Sequence, residues 1–192
     1  MSLNHRPASI AAAFCALFLS LGCAAARADS TARSLSKLAS GAGNIMYLAA
    51  AVGLPALTDG KKGEVQSLRA ADGIASAMVI CEGLKYLVRE QRPDHSDHLS
   101  FPSGHATAAF AAAAMESDFH PGQALYWFTG AVLIAQSRVR LNRHYERDVI
   151  AGALLGYGMA RLEVSTPHGL ILSPIIDPVQ RSIGVEAAMP IH

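Results

Sequence analysis

The chain has 192 residues, enough for one domain with a real core and too few for two comfortable ones. Just over half of it is apolar (51%), charged residues are sparse (16%), and mean hydropathy is +0.26. With 16 basic and 15 acidic residues there is no excess positive charge of the kind a nucleic-acid-binding surface needs. A low aromatic share (6%) with abundant Ala and Gly favours closely packed helices over a sheet.

In chain order, His5 and Arg6 form a short positive stretch before the apolar run Ile10 to Leu21, and Ala26-Arg27-Ala28 supplies an A-x-A cleavage pattern. Residues 1–28 therefore read as a secretory signal peptide, and 29–192 as one mature domain. Two alternatives stand beside that reading. Leu21-Gly22 before Cys23 suggests lipidation, although Ser20 sits where a large aliphatic belongs. The uncharged run Pro7 to Ala26 is also long enough for a retained anchor. Export leaves Cys81 as the one cysteine, a small buried apolar residue among Val79, Ile80 and Leu84.

Asp29 to Ser40 reads as a flexible polar lead-in. Leu38 to Thr58 carries no charge, but Asn44, three glycines and Pro55 favour a buried helix over a membrane span. Asp59 to Gly63 is turn chemistry. From Glu64 to Glu90, apolar residues recur every three or four positions, predicting a long helix that ends at Arg92-Pro93. Asp94 to Phe101 is a polar loop. Helices follow from Ser103-Gly104 to about Met115, from Ala124 to Val139, and from Glu146 to Arg161, with breaks at His120-Pro121-Gly122 and at Asn142. Gly152 and Gly156, four apart, permit close backbone contact with a neighbour, and Tyr126, Trp127 and Phe128 read as packing. Leu170 to Ile176 and Ile183 to Ala187 look strand-like around an Asp177-Pro178 turn. The expected architecture is all-α, a bundle of about five or six helices with a small C-terminal β-hairpin.

Three segments carry chemistry. Lys85 and Arg92 are seven apart, which on a continuous helix puts two cations on one face, a point charge and a planar fork suited to phosphate. Pro102-Ser103-Gly104-His105 opens a helix whose free N–H groups favour an anion; Ser103 can cap or donate, Gly104 admits close approach, and His105 can deliver a proton. Ser137 to Asp148 (S-R-V-R-L-N-R-H-Y-E-R-D) adds Arg138, His144 and Asp148. If helical, His144 and Asp148 share a face, and the carboxylate fixes the imidazole tautomer. Each segment alone has an ordinary reading as a helix end or cap. Together they fill the inventory of phosphoryl transfer: donors for the equatorial oxygens, an in-line nucleophile and an acid for the leaving oxygen.

The ordered set K-x6-R-P, P-S-G-H, S-R-x5-H-x3-D resembles the signature of the phosphatidic acid phosphatase type 2 superfamily, which also holds bacterial acid phosphatases and vanadium-dependent haloperoxidases. The resemblance spans residues 85–152 closely. It implies that His144 attacks phosphorus and forms a phosphohistidine, that Asp148 orients it, and that His105 protonates the leaving alcohol and then activates water. It further implies that Lys85, Arg92, Ser103, Gly104 and Arg138 hold the phosphoryl oxygens, with no metal or other cofactor. The implied substrate is a phosphomonoester or pyrophosphate, small or lipid-linked, handled in the periplasm or cell envelope with or without membrane association. A vanadate-dependent haloperoxidase and a non-catalytic envelope protein binding phosphate or lipid headgroups are the alternatives. Requiring His144 neutral and His105 protonated gives a bell-shaped pH profile. The eight-residue Asp94–Phe101 loop leaves little material for a lid. Its Asp94, His95, Asp97 and His98 resemble metal ligands, but consecutive loop residues seldom converge on one ion, and a solvated rim is the simpler reading. Arg140, Arg143 and Arg147 add surface charge that could steer anions.

Overall fold

The computed structural model describes residues 30–167, 169–177 and 182–187. The signal-peptide, lipidation and anchor readings, and Pro178 of the expected turn, lie outside them. Six α-helices are described: α1 (Ser30–Leu38), α2 (Asn44–Thr58), α3 (Gly60–Val88), α4 (Gly104–Phe119), α5 (Ala124–Arg140) and α6 (Glu146–Ser165). A π-turn, Ala39–Gly43, joins α1 to α2 and is kinked at Gly41 (φ −98°, ψ −108°). A 3₁₀ turn, Pro121–Gln123, precedes α5. Two antiparallel strands, β1 (Leu172–Asp177) and β2 (Ser182–Ala187), pair from Leu172 with Ala187 to Asp177 with Ser182. The all-α bundle with a terminal hairpin is the observed architecture.

Helix α4 is the centre. Every residue from Ala106 to Ser117 is buried, and the helix is so rich in alanine that its neighbours approach to backbone range. The closest neighbour is α6. A Cβ added to Gly156 would lie 2.0 Å from the Thr107 carbonyl oxygen, and one on Gly152 would lie 2.5 Å from that of Ser103. The four-residue glycine spacing is thus spent on a helix–helix contact that no side chain fits. Phe128, Trp127, Met115 and Val149 fill the wider gaps.

At the end far from the Ser103–His105 turn, buried Asp72 and Glu163 accept from the N–H groups of Leu170 and Ile171, and Arg69 pairs with Glu163 at 3.0 Å. These contacts tie the chain after α6 to α3 and satisfy carboxylates that could not otherwise be buried cheaply.

Several expectations need correction. The flexible lead-in is helical from Ser30 onward. The uncharged stretch to Thr58 is helical but mostly exposed: only Ala51 and Pro55 of α2 are buried, while Ile45, Met46 and Leu57 face outward. Ser30–Thr58 is long and apolar enough to cross a membrane, and only 17% of its most apolar stretch is buried in the protein. Tyr126 is exposed, unlike Trp127 and Phe128. Helix α3 stops at Val88, earlier than its proline implied, because Arg89 turns left-handed (φ 51°).

The α4–α6 contact predicts a contrast between two glycines of one helix. Gly156→Ala is expected to destabilise the protein by roughly 2 kcal/mol or more, since backbone must move. Gly158→Ala, which meets nothing within 4 Å, is expected to gain up to about 1 kcal/mol of helix stability. Urea unfolding of the two variants measures both.

Candidate active site

The three segments meet at one end of the bundle. Lys85 lies in the last turn of α3, where its ammonium pairs with Glu82 at 2.5 Å. A Cβ on Gly104, the first residue of α4, would stand 3.2 Å from that same nitrogen, so Lys85 lies over the helix N-terminus. Its own shared-face geometry with Arg92 is not what brings them together. The left-handed Arg89 ends the helix, and Arg92 returns on the following loop. There its Nε donates to Asp97 at 2.7 Å and its Nη1 to the Arg143 carbonyl and to His144 Nε2, each at 3.0 Å.

His144 lies outside α6, so the face that a helix through it would share with Asp148 does not form. Asn142 adopts a left-handed φ of 55°, turning the chain after α5, and His144 sits in that turn two residues before α6 begins. It is 3% exposed. Its Nδ1 lies 2.7 Å from the Ser100 carbonyl oxygen. A carbonyl only accepts, so Nδ1 carries the proton; a guanidinium only donates, so the Nε2 facing Arg92 is bare. Two independent contacts thus assign one tautomer, with a lone pair directed at the cation cluster.

Asp148, fully buried, lies 3.7 Å from Nδ1, close enough to act electrostatically but not as the direct hydrogen-bond acceptor. Its Oδ2 accepts instead from the Ser100 hydroxyl (2.5 Å) and the Tyr145 N–H (2.9 Å), the second contact being half of a capping box on α6. Ser100 therefore stands between histidine and carboxylate, its carbonyl on one and its hydroxyl on the other. Nothing in sequence spacing singled it out; a serine in a polar loop has no signature.

Ser103 is fully buried, and its N–H donates to the Asp148 carbonyl at 2.9 Å, tying the two helix starts together. Its hydroxyl has no partner among the described residues, and neither has the buried Nε of Arg138. These unpartnered donors stand beside the first turn of α4, whose N–H groups have no intrahelical acceptor, an arrangement that suits an anion.

Ser40 is the other residue that spacing could not reveal. The kinked π-turn inserts it into the site, where its carbonyl accepts from His105 Nε2 at 3.0 Å and its hydroxyl accepts from Arg138. The proton of His105 is therefore on Nε2.

Charge follows from crowding. Burial, then the Arg138 charge, pushes the His105 imidazole down to about 4. Burial also lowers His144, with Arg92 adding to the effect and Asp148 opposing it. Arg138 is lowered to about 10 by burial and by Arg143 and Arg92. Burial works to raise Asp148, but nearby His144 and the hydrogen bonds from Ser100 and Tyr145 outweigh it, and the net shift is down. The polar rim is spoken for: Asp94 is held below its ordinary range by Ser96 and Arg143, and Asp97 pairs with Arg92. Arg147 pairs with Glu90.

A family model described as the PAP2 superfamily matches residues 67–171, over half of the chain and all three segments. The chain belongs to the PAP2 superfamily. Among its PAP2 relatives is the decaprenylphosphoryl-5-phosphoribose phosphatase of Mycobacterium tuberculosis, 40% identical over 101 residues, or 46% of this chain and 54% of that protein. The lipid A 1-phosphatase of Porphyromonas gingivalis is 37% identical over 79 residues, or 38% of this chain and 17% of that protein. The chain thus matches about half the length of the first relative and less of the second. No solved structure matches it.

Both histidines should titrate low in heteronuclear NMR, His105 near 4 and His144 below 6.5, and Arg138→Gln should raise His105 by removing the nearby charge. The sign for stability follows. Folding favours the neutral form of a group whose folded pKa is depressed, so the stabilisation is full above 6.5 and is lost as pH falls towards 4.

Proposed function

We propose that this PAP2 protein is a phosphatase that hydrolyses phosphomonoesters or pyrophosphates, lipid-linked ones included, through a phosphohistidine. The observation that carries the reading is the tautomer of His144: Nδ1–H held by the Ser100 carbonyl, bare Nε2 3.0 Å from Arg92. A buried imidazole fixed in this way is a nucleophile aimed at a place where cations gather.

In this reading the substrate phosphoryl group enters between Lys85, Arg92 and Arg138, taking hydrogen bonds from the Ser103 hydroxyl and the first N–H groups of α4, Gly104 among them. It displaces the contact between Arg92 and Nε2. Nε2 attacks phosphorus, the P–O bond to the leaving group breaks, and the leaving oxygen takes a proton from His105. Water then attacks the phosphohistidine, gives its proton to His105, and the P–N bond breaks to release phosphate. Asp148, next to Nδ1, offsets the positive charge that His144 acquires on attack, and Ser100 positions both. The cations supply the charge stabilisation that a metal would otherwise provide. His105 must be protonated for the first step, and burial beside Arg138 opposes that in the free protein. An arriving dianion raises its pKa, so phosphate itself recruits the acid. The pH optimum of kcat/KM therefore lies on the acid side of 6.5.

Lipid-linked substrates are favoured by the exposed apolar face of α2, whose kinked start delivers Ser40 to the site. A helix with Ile45, Met46, Leu54 and Leu57 facing outward suits a lipid surface better than water. The named activities of both relatives, a decaprenylphosphoryl phosphatase and a lipid A phosphatase, point the same way. An envelope location and association with the membrane belong to this reading.

The test is phosphate release from a chromogenic phosphomonoester and a short-chain lipid phosphate, with and without chelator and vanadate. Turnover should resist chelator, be inhibited by vanadate, and fall by about 10³-fold or more in His144→Ala. Quenching with alkaline detergent and radiolabelled substrate should trap label on the wild type in a base-stable bond that is lost on acid treatment. Turnover that survives His144→Ala refutes the covalent mechanism.

A further inference from the structure

Beside the reaction centre lies a cavity of about 520 Å³ lined by Arg33, Lys37, Asp94, Arg138, Asn142 and Arg143, among others. Four of these side chains are cations and one is an anion. Asp94 pairs with Arg143 at 2.8 Å and so offsets one of the four charges, leaving a net positive excess carried by Arg33, Lys37 and Arg138. Arg33 and Lys37 stand one turn apart on α1, so they present two positive charges to the same side. Neither has an ion-pair or hydrogen-bond partner among the described residues. Arg138 belongs to both places: it lines this cavity, and it touches Ser40, whose carbonyl holds His105.

Arg33 and Lys37 lie outside the three segments that define the reaction centre, on a helix that the sequence presents as a lead-in. The kink at Gly41 turns α1 back over the site, and Ser40 clamps it there through Arg138 and His105. Like-charged side chains brought together without partners raise each other's energy, and an anion placed among them relieves it. The cavity volume of about 520 Å³ exceeds what one phosphate fills.

We propose that this cavity is a second phosphate subsite, formed by Arg33, Lys37 and Arg143, that selects substrates carrying another phosphate group near the one hydrolysed. Diphosphates, bisphosphates and monoesters flanked by a phosphodiester share that chemistry. The inference rests on the phosphatase reading for the identity of the first subsite, but its binding test does not require turnover.

The probes are inorganic phosphate and methylenediphosphonate, a diphosphate that cannot be hydrolysed, titrated calorimetrically into the full chain. Wild type should bind the diphosphonate about tenfold or more tighter than phosphate, and Arg33→Ala/Lys37→Ala should remove about tenfold of that preference. The two side chains are exposed, so the variant should fold; Arg33→Gln/Lys37→Gln repeats the measurement if it does not, and circular dichroism checks both. In kinetics, the ratio of kcat/KM for hexose 1,6-bisphosphate to that for hexose 6-phosphate should fall by a similar factor. An unchanged preference in the double variants, or no preference in wild type, overturns the subsite. Loss of binding to phosphatidylglycerol vesicles with the diphosphonate preference intact also overturns it, assigning the two cations to the bilayer surface instead. Retained preference without phosphate release from any substrate leaves the subsite standing and removes the phosphatase reading.

Discussion

The approach of α4 to α6 at Gly152 and Gly156 is the constraint on which the site depends. With Cβ atoms absent there, the two backbones close to distances that put the Ser103 N–H on the Asp148 carbonyl. The starts of two helices are thereby locked side by side, one bringing Ser103, Gly104 and His105, the other Asp148 and, through the turn before it, His144. A wider packing, with a leucine at either glycine, would leave every one of these residues present and their mutual geometry lost. The chemistry is thus set by what two positions lack, one and two turns into α6 from Asp148.

Within that frame, electrostatics explains why the polar atoms are arranged as they are. Three cations converge on a site that also buries two histidines, and burial first, with neighbouring positive charge adding to it, pushes Arg138 and both imidazoles towards their neutral forms. Such a cluster is costly by itself and is relieved by an anion, which is the physical ground on which the proposed phosphate site rests. Asp148 is held to one place beside His144 by the Ser100 hydroxyl and the Tyr145 N–H on its Oδ2, while its Oδ1 is buried without a hydrogen-bond partner among the described residues. The separation of roles is physical: one carboxylate is bound to keep still, and the phosphoryl position is left without one.

Most of the fold was legible because its signals are local. Helix periodicity, the His120-Pro121 break and the glycine pair each act within a few residues, and the structure places elements where they imply. The errors share a different cause. Separations of seven and four match helical turns, which puts Lys85 with Arg92 on one face of a continuous helix and His144 with Asp148 on one face only if the chain is helical there. Left-handed Arg89 ends the first helix before Arg92, and the extended N-cap Tyr145 (ψ 159°) separates His144 from the helix that carries Asp148. The fold brings these residues to one end of the bundle, though not by way of the helix faces that their spacing implies. Ser40 and Ser100 were invisible for a related reason: each contributes a backbone carbonyl, and every residue has one. Only the fold reveals which carbonyl a histidine finds.

The exposed face of α2 and the buried face of the π-turn belong to one continuous piece of chain, and this links surface to chemistry. A helix that leaves Ile45, Met46 and Leu57 in water loses on the order of 1.5–3 kcal/mol per side chain relative to a position in lipid or protein. Its other end holds His105 through Ser40 and carries Arg33 and Lys37 to the cavity mouth. The segment is anchored from within by Tyr47, whose hydroxyl donates to the Trp127 carbonyl at 2.7 Å and whose ring meets Trp127 edge-on at 5.1 Å, so the inner face of α2 is fixed while Ile45, Met46 and Leu57 stay outward. One residue of the π-turn, Ser40, makes both the contact to His105 Nε2 and the contact to Arg138. The apolar stretch and the motif residues, separate features when read along the chain, are therefore joined in the fold through a single serine.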